Sequence, residues 1–86
     1  MKEFTVAWWQ EADKELARLW LESEERARVT EATHEIDHIL SVNPGSRGVE
    51  WHEGFRRLSV GPLHVLYTVE EKDRLATVWS VRLSHE

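Results

Sequence analysis

Phe4, Val6 and Trp8 are apolar and are separated by Thr5 and Ala7. That two-residue period belongs to a strand with one buried face and predicts a first strand over Glu3 to Trp8. From Gln10 the period lengthens: Ala12, Leu16, Leu19 and Trp20 form one stripe, with Asp13, Lys14, Glu15 and Arg18 largely outside it. A first helix is therefore expected to about Leu21. Ser23 has a side chain suited to capping a second helix, and Glu24 and Glu25 would place negative charge at its positive end. The stripe of this helix is Val29, Ala32, Ile36, Ile39 and Leu40, and Asn43-Pro44-Gly45 ends it, because proline disfavours helix in the residue before it.

The second half changes character. Residues 43–53, with Gly45, Ser46 and Gly48, read as a loop. Phe55 to Val60, Leu63 to Val69 and Arg74 to Leu83 read as strands, punctuated by Gly61-Pro62 and by the polar run Glu70 to Asp73. Connections this short force antiparallel neighbours, since parallel pairing needs a crossover of about a dozen residues or more. The pattern predicts an α+β domain: one strand, two helices and a three-stranded meander, with the helices across one side of a curled four-stranded sheet.

Composition narrows the class. A chain of 86 residues holds one core, so residues 1–86 are expected to form one domain. It has five tryptophans, and core packing is expected for Trp8, Trp20 and Trp79. Without cysteine there is no disulfide framework, thiolate zinc site or cysteine nucleophile, which fits a reducing, cytoplasmic setting. Met1-Lys2 is followed by Glu3 and mixed polar sequence, so no signal peptide is read, and no apolar run is long enough for a membrane span. The net charge is −5, but it divides unevenly. Residues 1–53 carry twelve acids and six bases, giving −6, whereas residues 54–86 carry four acids and five bases, giving +1. The acidic total argues against a protein whose main task is non-specific nucleic-acid binding; it leaves room for a local basic patch on the C-terminal part, and a partner's basic surface is an equally natural match.

Two clusters have the inventory for chemistry. His34-Glu35-Ile36-Asp37-His38 has the H-E-x-x-H spacing of zinc proteases, in which two imidazoles one helical turn apart grip a metal and the Glu activates its water. With Ile36 at the centre of the buried stripe, both histidines lie about 160° away, on the solvent face rather than in a cleft. A zinc-dependent hydrolase through His34, Glu35 and His38 is accordingly a distant alternative; neither a metal nor another cofactor is expected. The second cluster is Arg56, Arg57, His64, Arg82 and His85. Arginines hold phosphates in a forked geometry and histidine moves protons near neutral pH, which is what a metal-free ribonuclease requires. Strand alternation sends Arg56 and Arg57 to opposite faces, so one of them is expected in any single site. The competing expectation is surface charge plus an ion pair at the core edge. Trp51, in the loop before Gly54, is expected to be exposed and to mark a contact surface.

Several segments together resemble the RelE/ParE toxin superfamily of type II toxin–antitoxin systems, to which many plasmid stabilisation proteins belong. They are Phe4 to Trp8, Ala12 to Leu21, the run "IDHILSVNP" from Ile36 to Pro44, Gly54 to Leu58, "VGPLHVLYTVEEKDR" from Val60 to Arg74, and "VWSV" at 78–81. The resemblance implies a β-α-α-β-β-β fold, with a helical hairpin packed on one face of an antiparallel sheet. It also implies a cognate antitoxin as partner, and either metal-independent cleavage of messenger RNA on the ribosome or inhibition of DNA gyrase. Carried over by position, Arg56 or Arg57 matches the basic residue of the first meander strand, and Arg82 and His85 fall in a C-terminal region that holds further functional residues in several members. Together with the Arg/His cluster this assigns catalysis to His64, Arg82 and Arg56 and substrate binding to Arg57 and His85, to which Trp51, expected to be exposed, is added as a contact residue. His64 stands three residues before Tyr67, where many relatives carry an arginine. A rival expectation is a catalytically silent binding module of the same fold, favoured by the acidic total and by the lack of a tyrosine after the last strand.

Overall fold

The computed structural model describes residues 4–83. Its elements are β1 (Thr5–Trp8), α1 (Gln10–Glu22), α2 (Arg26–Val42), β2 (Val49–His52), β3 (Phe55–Val60), β4 (Leu63–Glu70) and β5 (Leu75–Leu83). The strands form one sheet in the order β1-β5-β4-β3-β2. Strands β3, β4 and β5 are the expected antiparallel meander. The helical hairpin provides the crossover that lets β1 pair in parallel with β5, from Thr5 opposite Leu75 to Trp8 opposite Val78. The architecture is thus the expected α+β arrangement, with a sheet that is mixed rather than wholly antiparallel. Among the described residues no helix is long and apolar enough to cross a membrane.

The stripes decide which face the helices cover. All five apolar residues of the second stripe, Val29, Ala32, Ile36, Ile39 and Leu40, are buried, as are Ala12 and Leu19 of α1. They meet Leu58, Val60, Leu63, Val65, Tyr67, Ala76, Val78 and Val81 from β3, β4 and β5 in one cluster. Burying each large aliphatic side chain is worth about 1.5–3 kcal/mol, so rotating α2 off this seam would forfeit several such contributions at once. Trp8 adds a polar tie: its indole N–H donates to Asp37 Oδ1 at 2.8 Å, fastening α2 to β1.

Four expectations change. The segment read as loop contains β2, an extra strand paired antiparallel with β3. Glu53 and Gly54 have φ of 45° and 90°, so the hairpin between them is a two-residue turn with both central residues left-handed. Ser23 does not N-cap α2, whose N-cap is Glu25; it is the C-cap of α1, its own N–H donating to Trp20 O, and its Oγ accepts from Glu25 N, two residues on. Trp20 is 39% exposed rather than in the core. It braces the hairpin from outside, donating to Thr30 Oγ1 at 3.0 Å beneath the Arg26 guanidinium, 4.8 Å from its ring centre.

Trp79 is also outside the core, 37% exposed, and a bulge explains why. Leu66 pairs with Ser80 but Tyr67 pairs with Val78, leaving Trp79 as the extra residue in β5. Val78 and Val81 are an odd number of positions apart, and uninterrupted alternation would expose one of them. The bulge lets both be buried, at 0% and 2% exposure, and turns Trp79 out.

Candidate functional site

The register of the meander determines which side chains share the face away from the helices. Ser59 is opposite His64, His64 opposite Arg82, Arg57 opposite Leu66, and Leu66 opposite Ser80. Directly opposed residues point the same way, so Ser59, His64 and Arg82 form a row across three strands, about 10 Å wide at two strand spacings. Arg57 and Ser80 flank the row. Trp51 on β2 completes a groove of about 550 Å³ whose lining includes Arg57, Ser59, His64, Leu66, Ser80 and Arg82.

Within the groove Ser59 Oγ and His64 Nδ1 are 2.6 Å apart. Arg57, Ser59 and Arg82 are exposed and His64 is half-buried. Among the described residues the lining carries two guanidiniums and no carboxylate. Seven acids lie on the helices, Glu11, Asp13, Glu15 and Glu22 on α1 and Glu31, Glu35 and Asp37 on α2, and of these Glu11, Glu15 and Glu22 line a neighbouring depression that shares Ser80, Arg82 and Leu83 with the groove. A chain of net charge −5 therefore presents a locally cationic groove, suited to a phosphate held between arginines beside an imidazole.

Arg56 has a different setting. On the helix-facing side of β3 it is opposite Tyr67, and its Nε donates to Arg47 O at 3.1 Å and its Nη2 to Gly48 O at 3.4 Å. Tyr67 is fully buried, and its hydroxyl lies 2.8 Å from Pro44 O and 2.7 Å from Arg47 O. Burial pushes the Tyr67 phenol above its ordinary value, against the smaller opposing pull of Arg56 and Arg47. These groups pin the chain between α2 and β2 and lie away from the groove. His85 lies outside the described residues. The structure thus brings together His64, Arg82, Arg57 and Trp51, and sets Arg56 apart. It adds Ser59 and Ser80, which sequence reasoning passed over; the alternation that pairs Ser59 with Arg57 on one face was the available signal.

Two other features are placed plainly. His34 and His38 are exposed on α2, as the helical spacing indicates. Trp9, 48% exposed, stacks at a tilt on Trp79 with ring centres 5.2 Å apart, while Trp79 donates to Thr68 Oγ1 at 2.8 Å.

Neither a protein-family model nor a curated protein matches this sequence. Solved structures do. The toxin–antitoxin complex RelBE2 from Mycobacterium tuberculosis contains a chain that superposes with a TM-score of 0.80 at 17% identity, covering 100% of this chain and 97% of that one. The fold is that of the RelE/ParE toxins. A chain of the chromosomal ParDE toxin–antitoxin system from P. aeruginosa superposes with a TM-score of 0.73 at 12% identity, covering 96% and 98%. The archaeal RelE–RelB complex from Pyrococcus horikoshii gives 0.65 at 20% identity, covering 94% of each chain. Identities this low establish the RelE/ParE-like fold of the chain, and the use it makes of that fold has to be argued from its own groove.

Proposed function

We propose that this chain is the toxin of a type II toxin–antitoxin pair and that it cleaves messenger RNA in the groove of His64, Arg57 and Arg82. The observation that carries the reading is the row of Ser59, His64 and Arg82 beside Arg57, with two arginines and no carboxylate among the described lining residues in a chain whose total charge is negative. The guanidiniums hold a backbone phosphate and offset the charge that builds up on it; the imidazole moves a proton; Trp51 offers a ring face to an unpaired base. This donor set lacks the carboxylates with which proteins usually hold a divalent cation at a phosphate, so the proposed cleavage is metal-independent. The partner that silences it is a cognate antitoxin, as in the toxin–antitoxin complexes that share the fold.

Induced expression in a bacterial host, with and without the antitoxin gene, tests the toxin reading, and primer extension on messenger RNA tests its chemistry. Growth arrest with new transcript ends is expected for the wild type. Both should be lost in soluble His64→Ala and Arg82→Ala variants. Unimpaired growth with soluble wild-type protein would refute the toxin reading and leave a silent binding module. The RelE/ParE resemblance implies a second target, DNA gyrase. Growth arrest with intact transcripts and inhibited supercoiling would select it.

A further inference from the structure

The contact between Ser59 Oγ and His64 Nδ1 is short, at 2.6 Å, and joins residues directly opposed across β3 and β4. The two nitrogens of an imidazole are not equivalent, and the bond made by one decides what the other can do. A serine hydroxyl can donate or accept. If Ser59 donated, Nδ1 would hold the lone pair and Nε2 would carry the proton; if Ser59 accepts, Nδ1 carries the proton and Nε2 holds the lone pair. The groove decides between these. Its charged side chains among the described residues are Arg57 and Arg82, with Glu11, Glu15 and Glu22 in the neighbouring depression beyond Arg82, and a lone pair facing guanidiniums is favoured where the positive end of an N–H dipole is not.

We infer that Ser59 is a positioning residue: it accepts a hydrogen bond from His64 Nδ1–H and so presents Nε2 to the groove as a proton acceptor. The same bond survives when Nε2 is protonated, because both nitrogens of an imidazolium donate. Ser59 therefore holds the ring in one orientation through both states. Resting on the proposed RNA cleavage, this gives the step its direction. Nε2 takes the proton of a ribose 2′-hydroxyl, and the 2′-oxygen forms a bond to the adjacent phosphorus. The P–O5′ bond breaks with its electron pair on the 5′-oxygen, which takes a proton from solvent. The imidazolium later returns its proton to solvent. The products are a 2′,3′-cyclic phosphate and a 5′-hydroxyl end.

The test separates the ring from the reaction. Long-range ¹H–¹⁵N correlation spectra of the full chain, above the titration range of histidine, read the tautomer of His64, assigned by its loss in His64→Gln. The wild type should show the Nδ1–H form. Ser59→Ala, an exposed change on a strand, should move the tautomer ratio about fivefold toward Nε2–H, the effect of losing one neutral hydrogen bond. It should slow RNA cleavage by a similar factor, with Ser59→Thr restoring both. An Nε2–H wild type, or a ratio unchanged in Ser59→Ala, overturns the inference. A wild type that leaves RNA intact while its tautomer still follows Ser59 removes the RNA reading and supports the positioning of the ring.

Discussion

Replacing Tyr67 by phenylalanine removes one oxygen from the most consequential polar contact in the core. The ring has no exposed surface, and its hydroxyl reaches two carbonyls, those of Pro44 and Arg47. The two losses are unequal. Arg47 O also accepts from Arg56 Nε at 3.1 Å and keeps that partner. Pro44 is itself buried, so its carbonyl is the one left without a replacement from solvent. A single stranded buried acceptor costs about 1–3 kcal/mol, and that range, not its double, is the expected destabilisation. Each kcal/mol lowers the melting temperature of a domain this size by about 4–8 °C. Urea unfolding followed by tryptophan fluorescence should show a lower midpoint with an unchanged slope. A loss below about 0.5 kcal/mol, the usual range for surface changes, would refute the argument that this hydroxyl anchors the loop.

The same residue makes a claim about pH. Tyr67 is the only tyrosine in the chain, so phenolate absorbance reports it alone. Because burial raises its pKa, the folded state keeps the phenolic proton at a pH where the unfolded chain has released it. The stability tied to that proton is fully present below the ordinary value of about 10 and falls as pH rises from there through the folded value. The advantage of the wild type over Tyr67→Phe should therefore be constant at neutral pH and shrink under alkaline conditions. A phenolate midpoint at or below about 10 in the folded protein would contradict this.

Other substitutions probe separate parts of the reasoning. At Gly48, φ is +71° and an added Cβ would sit 2.6 Å from Arg57 O and 2.8 Å from the Tyr67 hydroxyl; Gly48→Ala should cost about 2 kcal/mol or more by thermal unfolding. At Gly54, φ is +90° with nothing within 4 Å, so Gly54→Ala should cost only the conformational strain, about 1–2 kcal/mol. Arg26 donates to Trp20 O and Leu21 O at 3.0 and 2.7 Å while covering the Trp20 ring; Arg26→Ala should lower stability by about 1 kcal/mol, and an unaffected midpoint would remove its role in closing α1. His64→Ala should reduce RNA cleavage at least about a hundredfold without changing the unfolding midpoint.

Legibility followed the period of the pattern. The α2 stripe was readable to the residue because five apolar positions at helical spacing admit one buried face. The three meander strands were readable because Gly61-Pro62 and the polar run after Val69 mark their ends. β2 was not, since its four residues are all exposed and lack the alternation that a core imposes. Its turn was equally hidden, because Glu53 adopts φ of 45°, which its residue type does not announce. Trp20 and Trp79 misled for a common reason. Size suggests burial, but each satisfies its indole N–H with a threonine hydroxyl at the surface, which no periodicity encodes. In the candidate site, the charged members were visible as residue types, whereas the company they keep depended on register.

Arg56 and Arg57 show how far register alone divides labour. They are adjacent and chemically identical, and nothing in composition distinguishes them. Tyr67 opposite Arg56 and Leu66 opposite Arg57 place one among backbone carbonyls and the other beside His64. Arg56→Ala removes donors from the Arg47 and Gly48 carbonyls, and is expected to cost about 1 kcal/mol of stability while leaving any residual folded protein with its groove intact. Arg57→Ala removes the proposed phosphate ligand from an exposed position, and is expected to weaken RNA binding or cleavage at nearly unchanged stability. Measuring unfolding and cleavage on both variants gives a crossed pattern if the two faces have separate duties. Loss of cleavage in soluble, folded Arg56→Ala equal to that in Arg57→Ala would place the chemistry on the helix side of the sheet, and the groove assignment would fall with it.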